Sequence, residues 1–370
     1  MTVAPRPDHL DFALRLHGEL AGTAAAGGPG LVWSPYSVAT ALGLVATGAR
    51  GGTRGELTGL LGADLPGHLA ALDDAVADGP ELATLTGLWV RRDLPVVDAF
   101  EAELRSRANS GVYPADFAGR PDGVRSEVNA EVAKLTRGMI TGLLQPGDVT
   151  ERTRALLVNA LWVHLRWTTP FDPARTAPGP FHTPDGERPV PMMHRTGSMP
   201  YADAGGWRMV TLAGDHDLAL DVLLPGGRGR DGGTLTPTVL RRLYRAAKPV
   251  EVDLTLPRFE LTWHTELSRP LGSAGVRTLF SDDADLSGIS SAPLRVDAVI
   301  HQARLRTDEK GAEGAAATAV VMRLASFVPK RPVDFTVDRP FTFVLRRRSA
   351  ILFLGTVTDP RDPGPATPGD

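Results

Sequence analysis

The sequence contains no cysteine, which excludes disulfide bonds, a thiolate nucleophile and a cysteine-based zinc site. Its net charge is only −3, so neither a nucleic acid nor an anionic membrane is expected as a partner. No apolar stretch reaches the roughly 18 residues of a membrane-spanning helix. The residues before Leu10 contain no apolar run after a basic start, so no secretory signal is visible and we expect a cytoplasmic protein.

Lysine and recognisable catalytic motifs are scarce as well. Lysine occurs only at positions 134, 248, 310 and 330, whereas arginine, alanine, glycine and proline are abundant. This bias is typical of a GC-rich genome, and we expect a prokaryotic source. Neither G-x-S-x-G nor H-E-x-x-H occurs, and the nine histidines are scattered. The sequence therefore predicts neither an enzyme nor a cofactor or metal site.

The 370 residues do include 42% hydrophobic residues, enough to bury the core of one large domain or two ordinary ones. One segment, EKGAEGAAATAVVMRLAS from Glu309 to Ser326, suits neither a helix nor a permanent strand. Gly311 and Gly314 each disfavour a helix by about 1 kcal/mol relative to alanine, and alanine and glycine are depleted in strands. A segment that is a loop in one state and a strand in another would have this composition, because small side chains enter a packed sheet without overpacking it.

The order of residues within this segment also permits insertion into a sheet. Side chains on a strand point alternately to opposite faces, and every second residue from Ala312 to Met322 is uncharged. The charges of Glu313 and Arg323 fall on the other face. A buried unpaired charge would oppose insertion, so the pattern allows it. An alanine-rich surface linker would have the same composition.

The stretch EKGAEGAAATAVVM resembles the hinge of the reactive-centre loop of the serpins, a family of serine-protease inhibitors. Both its Glu-x-Gly-x-Glu start and its run of small residues match. Three further blocks resemble serpin segments in the family's order, namely LVWSPYSVATALGLVATGARGGT (31–53), LLVNALWVHLRWTTPFD (156–172) and RPFTFVLRRRSAILFLGTVTDP (339–360). The resemblance covers roughly residues 10–360, and it departs at Glu131, where the family usually has tryptophan.

This resemblance implies an α+β fold in which residues 1–370 form a single serpin domain. The implied architecture is a large mixed β-sheet with additional smaller sheets, about eight or nine helices and an exposed reactive-centre loop at about 311–332. We expect the proline- and glycine-rich residues 361–370 to form a frayed tail. The protein is expected to be a monomer.

The resemblance also assigns residues to two parts of a loop-insertion mechanism. The hinge, where insertion begins, comprises Glu309, Lys310, Gly311, Ala312, Glu313, Gly314, Ala315, Ala316 and Ala317. The shutter and breach, where the main sheet opens, comprise Ser34, Ser37, Asn159, Trp167 and His301. In this interpretation His301 belongs to a hydrogen-bonded group with Asn159 that stabilises the open or the closed sheet and transfers no proton.

The function implied by the resemblance is suicide inhibition of a serine protease. The protease attacks the loop, forms an acyl-enzyme and is trapped when the cut loop inserts as a new strand. Serpin loops commonly place the cut bond seventeen residues from the hinge glutamate, which from Glu309 gives Ala325–Ser326. The small Ala325 favours an elastase-like or subtilisin-like target. Cleavage at Arg323 would shorten the inserted strand, and cleavage at Leu324 would indicate a chymotrypsin-like target.

Two alternatives belong to other functional classes. A serpin-fold protein can serve as a binding or chaperone-like module without inhibiting a protease. A nucleotide-dependent enzyme is suggested by residues 227–232, which fit G-x-G-x-x-G, with Asp253 about twenty residues further on. However, Thr234 and Pro237 follow these glycines, so the glycines do not open a helix. The neighbouring segments alternate like antiparallel strands, without a βαβ series.

Overall fold

A computed structural model of the chain describes residues 4–23, 28–77, 82–107, 110–226, 234–312 and 331–365. Within these ranges the chain has the α+β architecture expected from its sequence, with helices packed around two large sheets. The hydrophobic core is continuous across most elements, and a smaller second cluster lies beneath one long helix. No helix in the described ranges combines the length and the apolar character needed to cross a membrane.

The described ranges contain eight α-helices, in agreement with the eight or nine expected. They are α1 (Pro7–Thr23), α2 (Pro35–Gly48), α3 (Gly51–Leu61), α4 (Leu65–Val76), α5 (Asp98–Arg105), α6 (Pro121–Leu135), α7 (Pro237–Ala246) and α8 (Ser268–Ser273). The start of α2 follows from local sequence, since the Ser34 hydroxyl accepts a hydrogen bond from the Ser37 N–H and Pro35 occupies the first helical turn. Almost every residue of α2 is buried, so it lies at the centre of the fold.

Sixteen strands occur in the same ranges. They are β1 (Gly30–Trp33), β2 (Leu82–Arg91), β3 (Ser110–Ala115), β4 (Ala155–Val163), β5 (Leu165–Arg166), β6 (Ala177–Thr183), β7 (Gly186–Ala204), β8 (Trp207–Ala213), β9 (Leu218–Pro225), β10 (Lys248–Pro257), β11 (Phe259–Glu266), β12 (Ala298–Thr307), β13 (Gly311–Ala312), β14 (Val333–Thr336), β15 (Phe341–Arg347) and β16 (Ala350–Val357). Nine of them form one sheet in the order β1-β16-β15-β9-β8-β7-β10-β14, with β6 paired to β7. This sheet is antiparallel except where β14 runs parallel to β10.

A second sheet has five strands in the order β11-β12-β4-β2-β3, and β13 pairs separately with β5. Within this five-stranded sheet, β2 and β4 are buried on both faces. Leu156 and Val158 of β4 pack in the cluster beneath α6, whereas Leu157 and Leu161 belong to the main core. The sheet is mixed, because β12 and β4 run parallel and so do β2 and β3. The neighbouring inner strands β12 and β4 are thus parallel to each other.

Part of the segment expected to form a frayed tail, residues 361–365, is described, and it contacts the five-stranded sheet. Residues 361–365 lie beside β11, where the Glu260 N–H donates to the Arg361 carbonyl oxygen at 2.9 Å. β11 is the outermost strand of its sheet, and the unpaired backbone groups of an edge strand attract a neighbouring chain segment. Residues 366–370 lie outside the described ranges.

Candidate functional site

The two central strands of the five-stranded sheet, β4 and β12, are paired over only three residues. Their ladder ends where Val158 lies opposite Ile300. Beyond this point β12 continues through residues 301–307 and β4 continues to Val163, but the described parts of the two strands form no further ladder with each other. Backbone groups on these facing edges can pair with an additional strand.

His301 is the first residue of β12 beyond the paired segment. Its ring Nε2 accepts a hydrogen bond of 3.0 Å from the backbone N–H of Ser34, the residue that caps α2. Burial, followed by the nearby His264, lowers the pKa of His301 to about 3. The ring is therefore neutral at physiological pH, and it ties the opening point of the sheet to the central helix without exchanging protons.

Asn159 is the first residue of β4 beyond the same point, and it bonds elsewhere. Its Nδ2 donates to the Thr86 Oγ1 on β2 at 2.7 Å. The expected hydrogen-bonded group of His301 with Asn159 is thus divided into two separate contacts, because Ser34 and Thr86 take up their hydrogen bonds. Both side chains nevertheless line one small cavity, together with Ser37.

This cavity contains polar atoms that lack partners. Ser37 Oγ and Asn159 Oδ1 are buried, and within the described part of the chain neither forms a hydrogen bond. An unsatisfied buried polar group costs about 1–3 kcal/mol. A strand entering at this point would bring backbone N–H groups that could satisfy these oxygens. The opening point of the sheet therefore carries a local cost that an inserted strand could relieve.

Lowering the pH should destabilise the protein through its buried histidines. Burial lowers the pKa of His9 and His301 to about 3 and that of His17 to about 4, whereas an unfolded histidine titrates near pH 6.5. The unfolded chain therefore binds more protons, so the stability is complete above about pH 6.5 and is lost as the pH falls towards these low values. At pH 5, each histidine with a folded pKa near 3 should cost about 2 kcal/mol.

Melting temperatures measured from pH 8 to pH 5 check this expectation. The matched variant is His301→Gln, which can still accept the Ser34 N–H but cannot titrate. Its melting temperature should fall less steeply with decreasing pH. An identical slope in the two proteins would contradict the contribution assigned to His301.

Trp167 closes the upper end of the opening between β4 and β12. Its indole Nε1 donates to the Asp308 carbonyl oxygen at 2.9 Å, and its backbone N–H donates to the Lys310 carbonyl oxygen at 3.0 Å. The ring is buried and makes an edge-on contact with Phe171. Trp167 therefore anchors the segment that directly follows β12.

The chain reverses direction immediately after β12. The Asp308 N–H donates to the Gly311 carbonyl at 2.9 Å, and the Gly311 N–H donates back to the Asp308 carbonyl at 3.3 Å, so Glu309 and Lys310 form a two-residue turn. Gly311 has a φ of +138°, and a Cβ there would lie 2.1 Å from the carbonyl oxygen of Leu165. Only glycine fits this position, because it has no Cβ and adopts positive φ readily.

The two residues that follow the turn already form a strand. β13 pairs antiparallel with β5, with Gly311 opposite Arg166 and Ala312 opposite Leu165. β5 begins two positions after the end of β4 in the sequence. The expected loop at about 311–332 therefore begins with paired residues and not with exposed loop, because the turn places their backbone beside β5.

This arrangement allows only one direction for a strand entering the sheet. A segment that turns back from β12 must run antiparallel to β12. Since β4 is parallel to β12, the same segment also runs antiparallel to β4. One orientation thus permits hydrogen bonds to both facing edges.

Two buried carboxylates, those of Asp308 and Glu309, lie at the start of the turn. Glu309 Oε1 accepts a hydrogen bond from the Thr176 Oγ1 at 2.7 Å and lies 3.6 Å from the Arg258 Nη1. Asp308 Oδ2 lies 3.6 Å from the Arg306 Nε. Burial raises the pKa of Asp308, because it disfavours the charged carboxylate. The base of the hinge is therefore paired with two arginines, Arg258 from the link between β10 and β11 and Arg306 from β12 itself.

Sequence reasoning missed Thr86, Thr176, Arg258 and Asp308. Only Asp308 carried a local signal, since it directly precedes the hinge motif. Thr176 is separated from its partner Glu309 by 133 positions, and Thr86 is separated from Asn159 by 73. No local pattern indicates a contact over such distances.

Seven other predicted site residues lie outside the described residues, namely Glu313, Gly314, Ala315, Ala316, Ala317, Ala325 and Ser326. The glycines of the 227–232 motif lie outside them as well. Asp253 is described, and one of its carboxylate oxygens is engaged by neighbouring side chains. Its Oδ1 lies 2.7 Å from the His194 Nε2 and accepts a hydrogen bond from Thr196. β9 and β10 lie on either side of the motif, and both pair antiparallel with their described neighbours, apart from the parallel pair of β10 with β14. A dinucleotide-binding βαβ unit would instead have parallel strands around the motif.

Comparison with known proteins identifies relatives along the whole chain. The profile of the Serpin family, described as serine protease inhibitor, matches residues 8–360. Serpin-Z1C of Triticum aestivum is 32% identical, with 94% of this chain and 94% of its own length covered. Iris of Ixodes ricinus is 31% identical, with 95% and 97% covered. These relatives come from a plant and a tick, so the prokaryotic source expected from composition is not borne out.

Solved structures resemble the fold over nearly the same length. Human thyroxine-binding globulin complexed with thyroxine superposes with a TM-score of 0.83 at 24% identity, covering 96% of this chain and 98% of its own. Uncleaved ovalbumin superposes with a TM-score of 0.82 at 22% identity, covering 96% and 100%. At these identities the likeness establishes the architecture alone.

Proposed function

The chain belongs to the serpin family, and from this premise we propose that it inhibits a serine protease as a suicide substrate. Its relatives support an inhibitor and not an enzyme. The protein supplies a peptide bond as bait, and the protease supplies the chemistry. We further propose that it acts as a cytoplasmic monomer, which size-exclusion chromatography and cell fractionation can check.

The reaction begins as ordinary proteolysis. The protease serine attacks the bait carbonyl, the peptide bond breaks, and the new N-terminus leaves with the downstream segment while the upstream carbonyl stays esterified to the serine. The upstream segment is then free at one end. It enters the sheet between β4 and β12 and carries the attached protease with it. If insertion outpaces hydrolysis of the ester, the protease is trapped.

One observation carries this proposal. The hinge has already turned back at Asp308–Gly311, and β13 has already paired with β5 in the one orientation that suits both facing edges. Further insertion would extend an existing strand and would not have to nucleate a new one. The rest of the strand would meet the unpaired edges beyond Val158 and Ile300.

The proposed bait bond is Ala325–Ser326, and the proposed target is an elastase-like or subtilisin-like protease. A small side chain at Ala325 fits a shallow specificity pocket and leaves a deep acidic pocket unfilled. Cleavage at Arg323 would make the inserted strand two residues shorter, which would favour release of the protease over trapping.

The direct test is incubation of the full chain with a panel of serine proteases, followed by denaturing electrophoresis. An inhibitor forms a complex that survives detergent because the acyl bond is covalent. A non-inhibitory relative, the second functional class considered above, yields only a cleaved chain. Cleavage by every active protease without any stable complex would therefore overturn the inhibitory proposal and favour the binding-module alternative.

Mass spectrometry of the fragment released on complex formation should locate the bait bond. We expect the C-terminal fragment to begin at Ser326. A fragment that begins at Leu324 would place cleavage after Arg323 and indicate a trypsin-like target. A fragment that begins at Ala325 would place cleavage after Leu324 and indicate a chymotrypsin-like target. Either result would show that Ala325 is not the bait residue.

A further inference from the structure

The segment after the last strand lies at the top of the five-stranded sheet, beside the hinge. Residues 361–365 follow β16, which belongs to the other sheet, and cross to the edge strand β11. There the Glu260 N–H donates to the Arg361 carbonyl oxygen at 2.9 Å. This segment, called the C-terminal strap below, thus pairs with an otherwise open sheet edge.

The first side-chain contact of the strap is made through Arg258. Asp362 Oδ1 lies 3.2 Å from the Arg258 Nε, and Asp362 Oδ2 lies 3.5 Å from the Arg258 Nη2. The third nitrogen of the same guanidinium, Nη1, lies 3.6 Å from Glu309 Oε1 in the hinge turn. Arg258 is therefore held between a carboxylate of the strap and a carboxylate of the hinge.

Arg306 makes a second contact of the same kind. Its Nη2 donates to the carbonyl oxygens of Gly364 at 3.4 Å and Pro365 at 3.1 Å, while its Nε lies 3.6 Å from Asp308 Oδ2. Two arginines thus each join the strap to one of the two buried acids at the base of the hinge. The acids sit on successive residues, so both arginines act on the same turn.

The electrostatic consequence follows from burial. The side chains of Asp308 and Glu309 are only 2% and 4% exposed, and a buried carboxylate is tolerated only when it is neutralised. The strap contacts both arginines, whose side chains are only 12% and 21% exposed, and a charge in such a poorly hydrated position remains effective at 3.6 Å. Without it, the arginines would be hydrated and screened, and the hinge turn would lose part of its neutralisation.

We propose that the C-terminal strap is a latch that holds the hinge turn in place and so restrains spontaneous insertion of the loop. Release of the strap loosens the Asp308–Gly311 turn, whose carbonyl oxygens at Asp308 and Lys310 accept the Trp167 hydrogen bonds that close the opening. Once these bonds weaken, the sheet opens more readily between β4 and β12. The latch concerns the uncleaved protein by itself, so it can be tested whether or not the protein inhibits a protease.

The test compares three versions of the full chain. One ends at Pro360 and lacks the strap, a matched control ends at Pro365 and retains every contact described here, and a third carries Asp362→Ala in the complete sequence. Amide hydrogen exchange is measured at Glu260, whose N–H pairs with Arg361, and in the turn at 308–311. The chain ending at Pro360 loses the strap's hydrogen bonds to the Arg306 guanidinium and with them the fixed position of the arginines 3.6 Å from the hinge acids. Exchange in the turn should therefore accelerate, by up to about tenfold.

The Asp362→Ala variant should show faster exchange in the turn while Glu260 remains protected, because the main-chain pairing is kept. Because Asp362→Ala keeps the complete chain, it still tests the proposal if the chain ending at Pro360 fails to fold. A second readout is a conversion rate. Incubation at moderate temperature should slowly yield a form whose melting temperature no longer responds to loop cleavage. The rate of this conversion should rise when the strap is removed. The proposal would be overturned if both variants, the chain ending at Pro360 and Asp362→Ala, had the same exchange rate in the turn and the same conversion rate as the chain ending at Pro365.

Discussion

Cleavage of the Ala325–Ser326 bond should raise the melting temperature of the protein by about 10 °C or more, the shift that corresponds to a net gain of roughly 8 kcal/mol in a domain of 370 residues. In the intact chain, the loop is tied at both ends and the edges of β4 and β12 beyond Val158 and Ile300 lack a partner. Once cut, the upstream segment can extend β13 between them. Backbone pairing on both sides of the inserted strand and burial of the uncharged face of the loop are the interactions that should stabilise the cleaved form.

Scanning calorimetry of the intact chain and of the chain nicked by a non-target protease measures this shift. Ordinary loop nicking leaves stability level or lowers it, so a rise separates insertion from simple cleavage. A nicked protein that melts at or below the temperature of the intact one would contradict loop insertion and favour a non-inhibitory serpin.

Replacement of Ala312 with arginine should convert the inhibitor into a substrate. Ala312 is the second residue of β13 and lies opposite Leu165, at the point where insertion starts. Its side chain belongs to the uncharged set of the loop, and burial of an unpaired charge on that face opposes strand entry by several kcal/mol. Insertion then becomes slower than hydrolysis of the acyl bond, so cleavage continues while the covalent complex disappears.

The stoichiometry of inhibition measures this change, and Glu313→Arg provides the matched control. It introduces the same charge one residue further on, on the face that already carries a charged residue, and should retain most of the inhibition. The cleaved Ala312→Arg protein should also lack the rise in melting temperature. An unchanged stoichiometry in Ala312→Arg would count against hinge insertion as the trapping step.

Several parts of the fold could be predicted from sequence because they depend on neighbouring residues. Ser34 and Pro35 mark the start of α2, and the all-apolar sequence that follows predicts a buried helix. The composition of the hinge predicts a segment that can be loop or strand, and Gly311 proves to occupy a position where a Cβ would collide with the backbone. Resemblance to serpin blocks then placed Asn159 and His301 near the opening of the sheet.

The hydrogen bonds within the site could not be predicted in the same way. Asn159 was expected beside His301, yet it bonds Thr86 on β2 while His301 bonds Ser34 at the start of α2. The partners are 73 and 267 positions apart in the chain. Which donor meets which acceptor depends on the register of β2, β4 and β12 and on the position of α2, and no local pattern encodes that relation.

The sequence by itself indicated the class of fold, because several of its blocks resemble serpin segments in the family's order, and its small side chains predicted a segment that can change state. The tertiary structure decided the state of that segment at its start, where Gly311 and Ala312 are already paired with β5. It also decided that Arg361 pairs with Glu260 of β11, in a segment whose proline and glycine content predicts a frayed end. Both outcomes depend on an unpaired strand edge, and such an edge exists only after distant strands have assembled into a sheet.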